Sequence, residues 1–241
     1  MALYFNNASS NKLTTAFTSH GTQRSYSVWV YRIGTGGGGT GRIFDKRTAS
    51  SQVEVLLFTG GIEFDRNFST SQGSWKVADT VGTNAWQHIV VTYDSGATTN
   101  DPVFYINGAS QVLTLDTAPV GIANTNTDPY VIGNRGNDNL RNFDGYIAEF
   151  AIYDRILTQA EITILSRGYS PSFIPASLVS YHPLIREPID RRGAVGTISG
   201  ATAVAHPRII YPASRNSIPF ATAAAGGASH SSMFGDGCLV Y

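Results

Sequence analysis

The sequence predicts an all-β fold: a two-sheet antiparallel sandwich with one short helix and an extended C-terminal arm. Three observations predict it. Alternating segments rich in aromatic and β-branched residues recur up to about residue 155. Hairpin dipeptides separate them, and many short strands with regular turns read as a sandwich. A single capped helix signal follows, after which prolines interrupt every longer pattern.

The elements follow in order. Ser25-Tyr-Ser-Val-Trp-Val-Tyr31, Gln52–Phe58, Trp86–Tyr93, Val103–Ile106 and Tyr146–Tyr153 read as strands. Gly60-Gly61, Asp94-Ser-Gly96, Asn107-Gly108 and Asp144-Gly145 read as turns, because Gly, Asn and Asp tolerate positive φ. Thr158-Gln-Ala-Glu161 is a capping box, followed by Ile162, Ile164 and Leu165 and closed by Gly168, which predicts a helix near 159–167. The sandwich therefore spans residues 1–170. Residues 171–212 contain Pro183, Pro188, Pro207 and Pro212. They read as an extended segment packing on the sandwich or on a neighbouring subunit, with Leu178–Tyr181 alternating like an added strand. Residues 213–241 form an Ala/Gly/Ser-rich arm, in which Phe220, Phe234 and Tyr241 are the expected subunit contacts.

Composition narrows the class. The 241 residues carry 17 basic and 17 acidic side chains, which argues against nucleic acid and anionic membranes as partners. Charged residues make up 14 %, against about 25 % in an ordinary domain. A surface built from Gly, Ser, Thr and Asn suits an assembly or an extracellular setting. Cys238 is alone, so no intramolecular disulfide forms, and it reads as a bystander thiol. The first residues lack a signal-peptide pattern and no stretch is long and apolar enough to span a bilayer, so the chain is expected to be made in a cytoplasm and released by lysis or in a particle.

Three segments together resemble the laminin-G-like, concanavalin A-like jelly-roll superfamily: Tyr26-Ser-Val-Trp-Val30, Trp86–Asp94 with Val103–Gly108, and Phe143–Leu157 running into Thr158–Ile162. The resemblance covers residues 1–167. Within 177–212, Ser177–Ile185 and Ala201–Tyr211 resemble a tail found on laminin-G-like proteins of tailed bacteriophages. That second resemblance implies a virion structural role.

No segment spells Glu-x-Asp-x-Glu, the alternating carboxylates of glycosidases on this superfold, and Glu54, Glu63 and Glu149 read as isolated. Gly34–Gly41 lacks the Lys-Ser/Thr of a phosphate loop and reads as a flexible connection. His20, His88, His182, His206 and His230 show no metal spacing; His88 reads as half-buried structure, and His182 and His206 as residues that shape the backbone before proline. Relatives in the superfamily often bind Ca²⁺ at a rim, and the matching stretch here offers Asn134, Asp138 and Asn139. Arg135 beside them opposes a cation, so calcium is disfavoured and no cofactor is expected. For glycans, Trp75, Tyr93, Tyr130 and Trp86 are the aromatic candidates; Trp86 belongs to a core-like strand, and Trp75 and Tyr130 are carried forward.

The expectation is a binding or building module, not an enzyme: a bacteriophage virion structural protein that decorates or cements the capsid. Its partners would be capsid or other virion proteins, and a homo-oligomer, with a trimer favoured. The alternative is a carbohydrate-binding adhesion module on a capsid or tail surface.

Overall fold

The computed structural model describes residues 2–6, 10–47, 52–58, 60–78, 81–184, 190–192 and 195–212. The strands are β1 (Ala2–Phe5), β2 (Lys12–Thr14), β3 (Gln23–Arg32), β4 (Arg42–Arg47), β5 (Gln52–Phe58), β6 (Gly61–Arg66), β7 (Gly73–Ala78) and β8 (Trp86–Asp94). They continue as β9 (Val103–Ile106), β10 (Ala109–Ser110), β11 (Leu113–Thr117), β12 (Val131–Ile132), β13 (Gly145–Tyr153), β14 (Leu178–His182), β15 (Thr197–Ser199) and β16 (Thr202–Val204). One helix, α1, spans Gln159–Ser166.

The strands form two antiparallel sheets. The first runs β10-β9-β8-β3-β13-β1-β16, with β14 added beside β13; the second runs β11-β7-β6-β5-β4-β12-β2-β15. Chain neighbours are distributed between both sheets, which is the jelly-roll arrangement. All five strands expected from alternation are present. The Asn107-Gly108 turn has φ of 51° and 85°, as a two-residue hairpin joining β9 to β10 requires. At Asp144-Gly145, Gly145 (φ 150°) lets the β3 backbone approach so closely that a Cβ would lie 2.0 Å from the Tyr31 carbonyl oxygen.

The interior is built by the pleat. Phe44, Leu56, Phe64 and Trp75 stand in one cross-strand row of the second sheet and meet Tyr26, Val28, Val30, Ile89 and Val91 of the first; all are essentially buried. A second cluster lies outside the first sheet, where Ile162 and Leu165 of α1 pack with Val90, Ala151, Tyr153, Leu157, Leu178 and Tyr181. The capping box is complete: Thr158 Oγ1 accepts from the Glu161 amide, and the Thr158 amide donates to Glu161 Oε2 at 2.9 Å.

After α1 the chain returns to the sandwich. β14 pairs with β13, β15 with β2, and β16 with β1. β13 changes partner midway, with β1 beside residues 145–147 and β14 beside 150–153. Between them Glu149 sits at φ +54° in a bulge against β3. The carboxylate is buried and fully engaged. Oε2 accepts from Tyr181 Oη at 2.6 Å; Oε1 accepts from Tyr211 Oη and lies 3.1 Å from His206 Nε2. Glu149 therefore anchors the C-terminal segment, and His206 does more than shape the backbone before its proline.

Candidate functional site: a row of aromatic rings on the first sheet

The helix covers only part of the first sheet's outer face. On the rest, four residues stand directly opposite one another: Tyr4 on β1 pairs with Tyr146 on β13, Tyr146 with Tyr31 on β3, and Tyr31 with Trp86 on β8. Their neighbours Leu3, Phe5, Val30 and Ile147 face the core, so strand alternation places these four side chains outward. All four are half-buried.

The rings form a continuous row. Tyr31 and Tyr146 stack with centroids 4.8 Å apart and planes at 22°. Trp86 meets Tyr31 edge-on at 5.8 Å, and Tyr4 meets Tyr146 edge-on at 5.4 Å. At a strand spacing of about 4.8 Å, four strands span about 14 Å of apolar surface. Among the described residues, the hydroxyls of Tyr4, Tyr31 and Tyr146 make no hydrogen bond to protein. The row therefore offers ring faces together with phenol hydroxyls, which can both donate and accept.

Alternation puts Asn6, Asp144 and Ile33 next to the row on one side, and Trp29 on the other. Burial holds the Asp144 carboxyl above its usual range. The Trp29 ring packs 5.1 Å from the buried His88 ring. His88 Nε2 lies 2.9 Å from Ser27 Oγ, and burial pushes its pKa down to about 3. His88 is thus fully buried rather than half-buried, and neutral.

The glycan candidates taken from sequence lie elsewhere and are corrected here. Trp75 is fully buried in the row with Phe64, and its Nε1 donates to Asp101 Oδ1 at 2.7 Å. Tyr130 is also fully buried and donates to Glu54 Oε1 at 2.8 Å. Neither ring presents a face to a ligand. Tyr93 is buried too, at 3 % exposure. Trp86, assigned to the core, is the one of the four that reaches the surface row.

The calcium candidates build a turn. Asn134 Oδ1 accepts from the amides of Arg135 (2.7 Å) and Arg141 (3.2 Å). Asp138 is ion-paired with Arg135 and also accepts from the Leu140 amide at 3.1 Å. Asn139 sits at φ +59°. The oxygens of Asn134 and Asp138 thus have protein partners. The expected subunit contacts Phe220, Phe234 and Tyr241 lie outside the described residues, as do Cys238 and His230.

Sequence reading missed an acidic pair. Glu63 and Asp65, on the same face of β6, both accept from Ser74 Oγ, at 3.1 and 2.7 Å. Burial and the neighbouring Asp65 charge raise Glu63 to about 7. The signal was Glu63-Phe-Asp65 itself, two carboxylates at strand period.

Glu54 is not isolated either. It is 2 % exposed inside the sandwich and accepts from Tyr26 and Tyr130 hydroxyls. Burial pushes it upward, but His20, Arg66 and the Tyr26 hydroxyl outweigh burial and hold it at about 2.

The two antiparallel sheets form a jelly-roll sandwich. The sequence profile of laminin-G-type domains, described as the concanavalin A-like lectin/glucanases superfamily, matches residues 5–163, and the chain belongs to that superfamily. Comparison with curated protein sequences found no match. Among solved structures, a candidate carbohydrate-binding protein from Bacteroides ovatus is similar at a TM-score of 0.63 and 17 % identity, over 83 % of this chain and 58 % of that one. A native heptameric SAP-like pentraxin from Limulus polyphemus is similar at 0.56 and 14 %, over 83 % of this chain and 95 % of that one. At these identities the likeness is one of fold.

Proposed function

We propose that this chain is a carbohydrate-binding module whose ligand lies along Tyr4, Tyr146, Tyr31 and Trp86. The observation that carries the reading is the register of that row: four half-buried rings on adjacent strands. Sugar rings have apolar C–H faces and polar edges, and a row of this kind meets both. Membership of a lectin-type superfamily and the likeness to the Bacteroides ovatus protein support the same reading. The capsid-decoration role implied by residues 177–212 is not carried forward. Leu178, Tyr181 and Leu184 of that segment are buried against this chain's own sandwich.

Affinity electrophoresis through gels containing β-glucan, galactomannan, xylan or pectin tests the reading. Wild-type protein is expected to be retarded by at least one polysaccharide, and a Tyr31→Ala/Trp86→Ala double variant to run unretarded. Retardation that survives in the double variant overturns the reading, as does a wild-type protein that none of the four retards.

A further inference from the structure

A carboxylate without a partner flanks the aromatic row. Asp144 stands two residues before Tyr146 on the same face, so roughly 7 Å separates the two positions along the chain. Its backbone is fixed from β3: the Ile33 amide donates to the Asp144 carbonyl at 2.8 Å, and the Gly34 amide donates to the same oxygen at 3.3 Å. Its side chain is placed by sterics. A Cβ on Gly34 would lie 2.4 Å from Asp144 Oδ2, so the carboxylate rests over the bare Gly34 backbone, beside the rings.

Among the described residues, nothing donates a hydrogen bond to the Asp144 carboxylate and no cation pairs with it. By contrast, Asp45 is held by Arg47 at 2.9 Å, Glu149 by Tyr181 at 2.6 Å and Glu161 by Arg155 at 2.6 Å. The two arginines nearest to Asp144 in chain and register are turned elsewhere. Arg141 donates to the Gly38 carbonyl at 2.9 Å. Arg32, opposite Gly145, lies over the Phe58 ring in the interior and donates to the Val81 carbonyl at 2.8 Å. Burial alone moves the Asp144 carboxyl upward, as expected of a sheltered acid that no neighbouring charge relieves. Asp144 is nonetheless only half-buried, so a ligand can reach it.

We propose that the saccharide preferred by the row carries free amino groups, as a glucosamine polymer does, and that an ammonium sits between Asp144 and the rings of Tyr146 and Tyr31. The inference rests on the saccharide-binding reading of the row. An ionised carboxylate only accepts, and an ammonium brings three N–H donors together with the missing charge. The rings add to the attraction, because a cation within about 6 Å of an aromatic centroid is drawn to the ring's negative face. With roughly 7 Å between Asp144 and Tyr146, an ammonium bonded to the carboxylate falls within that range. A neutral hydroxyl would bond Asp144 but gain nothing from the rings' charge distribution, and an acidic sugar would be repelled.

Isothermal titration with three β-1,4-linked oligosaccharides of equal length tests the proposal: oligomers of glucosamine, of N-acetylglucosamine and of glucose, in mildly acidic buffer that keeps the amine protonated. Wild-type protein should bind the glucosamine oligomer about fivefold tighter than the other two, or better, and the advantage should shrink as salt rises. Asp144→Asn keeps the shape of the side chain and removes its charge, so it should erase that advantage while the protein stays folded. A glucosamine oligomer that binds no better than the other two overturns the proposal, as does an advantage that survives in Asp144→Asn. Retardation of the wild type by a polysaccharide gel, lost in Tyr31→Ala/Trp86→Ala, reads the row separately. While that retardation holds, either adverse result overturns the amine preference alone.

Discussion

The two halves of the first sheet's outer face have the same pleat and the same strands but different fates. Towards the Gln23 end of β3, the outward positions include Ser25, Ser27, Val90, Ala151 and Tyr153, and Leu157 with Ile162 and Leu165 of α1 packs over this end. Towards the Arg32 end they are Tyr31, Trp86, Tyr146 and Tyr4, and among the described residues no element crosses them. Small side chains let a helix approach within packing distance. The row of rings is left half in water. The difference between a second core and a candidate binding face is therefore whether the chain after β13 packs back over the pleat.

The comparison breaks most readily on the covered half. Leu165 is 1 % exposed between α1 and the sheet, so Leu165→Ala should lower unfolding free energy by about 3 kcal/mol in urea titrations, without changing polysaccharide retention. On the open half, Trp86→Ala should cost only about 2 kcal/mol, because much of the ring already meets water, yet it should weaken saccharide binding severalfold. If Trp86→Ala proves the more damaging to stability, the row is core and the contrast fails. A smaller effect is expected from Tyr211→Phe. It removes one donor from buried Glu149 while leaving Tyr181, and should cost about 1.5 kcal/mol by thermal denaturation.

Acid sharpens the boundary between the halves, where His88 lies beneath Trp29. Burial depresses His88 to about 3 from an ordinary 6.5, so folded protein keeps the ring neutral while unfolded chain takes up a proton. That contribution is fully present above pH 6.5 and is lost progressively as pH falls towards 3. Glu54, held near 2 against 4.5, adds a further loss below about pH 4.5, with the same sign. Glu63, raised to about 7, acts with the opposite sign in the same window, so His88 is read by difference: the melting temperature of wild type relative to His88→Gln should fall as pH drops from 7 to 5. A difference between wild type and His88→Gln that stays constant between pH 7 and 5 would contradict the buried, neutral assignment.

Much of the fold was legible in the sequence because alternation and turn chemistry are local. The Thr158–Glu161 box and the Asn107-Gly108 turn formed where their residues stand. The aromatic row was not legible. Alternation says that Tyr31 and Val30 face opposite ways, but it does not say that residues 4, 146, 31 and 86 share one register line. Trp75 misled for a related reason: as an aromatic candidate its facing was not fixed by the sequence, whereas β7 lies between β6 and β11 and the ring points into the interior. Glu149 looked unaccompanied because its partners, Tyr181, His206 and Tyr211, arrive from a segment 32 to 62 residues further on.

The most direct test of the aromatic row uses the three tryptophans as reporters in one protein. Trp86 lies in the row, Trp29 beside it, and Trp75 in the interior bound to Asp101. In ¹H–¹⁵N spectra the three indole signals can be assigned by single Trp→Phe substitutions and followed while an oligosaccharide of the retarding polysaccharide is added. The account predicts a saturable shift of the Trp86 signal, a smaller one for Trp29, and a stationary Trp75. A saturable shift at Trp75 with Trp86 unmoved would place the saccharide elsewhere and contradict it.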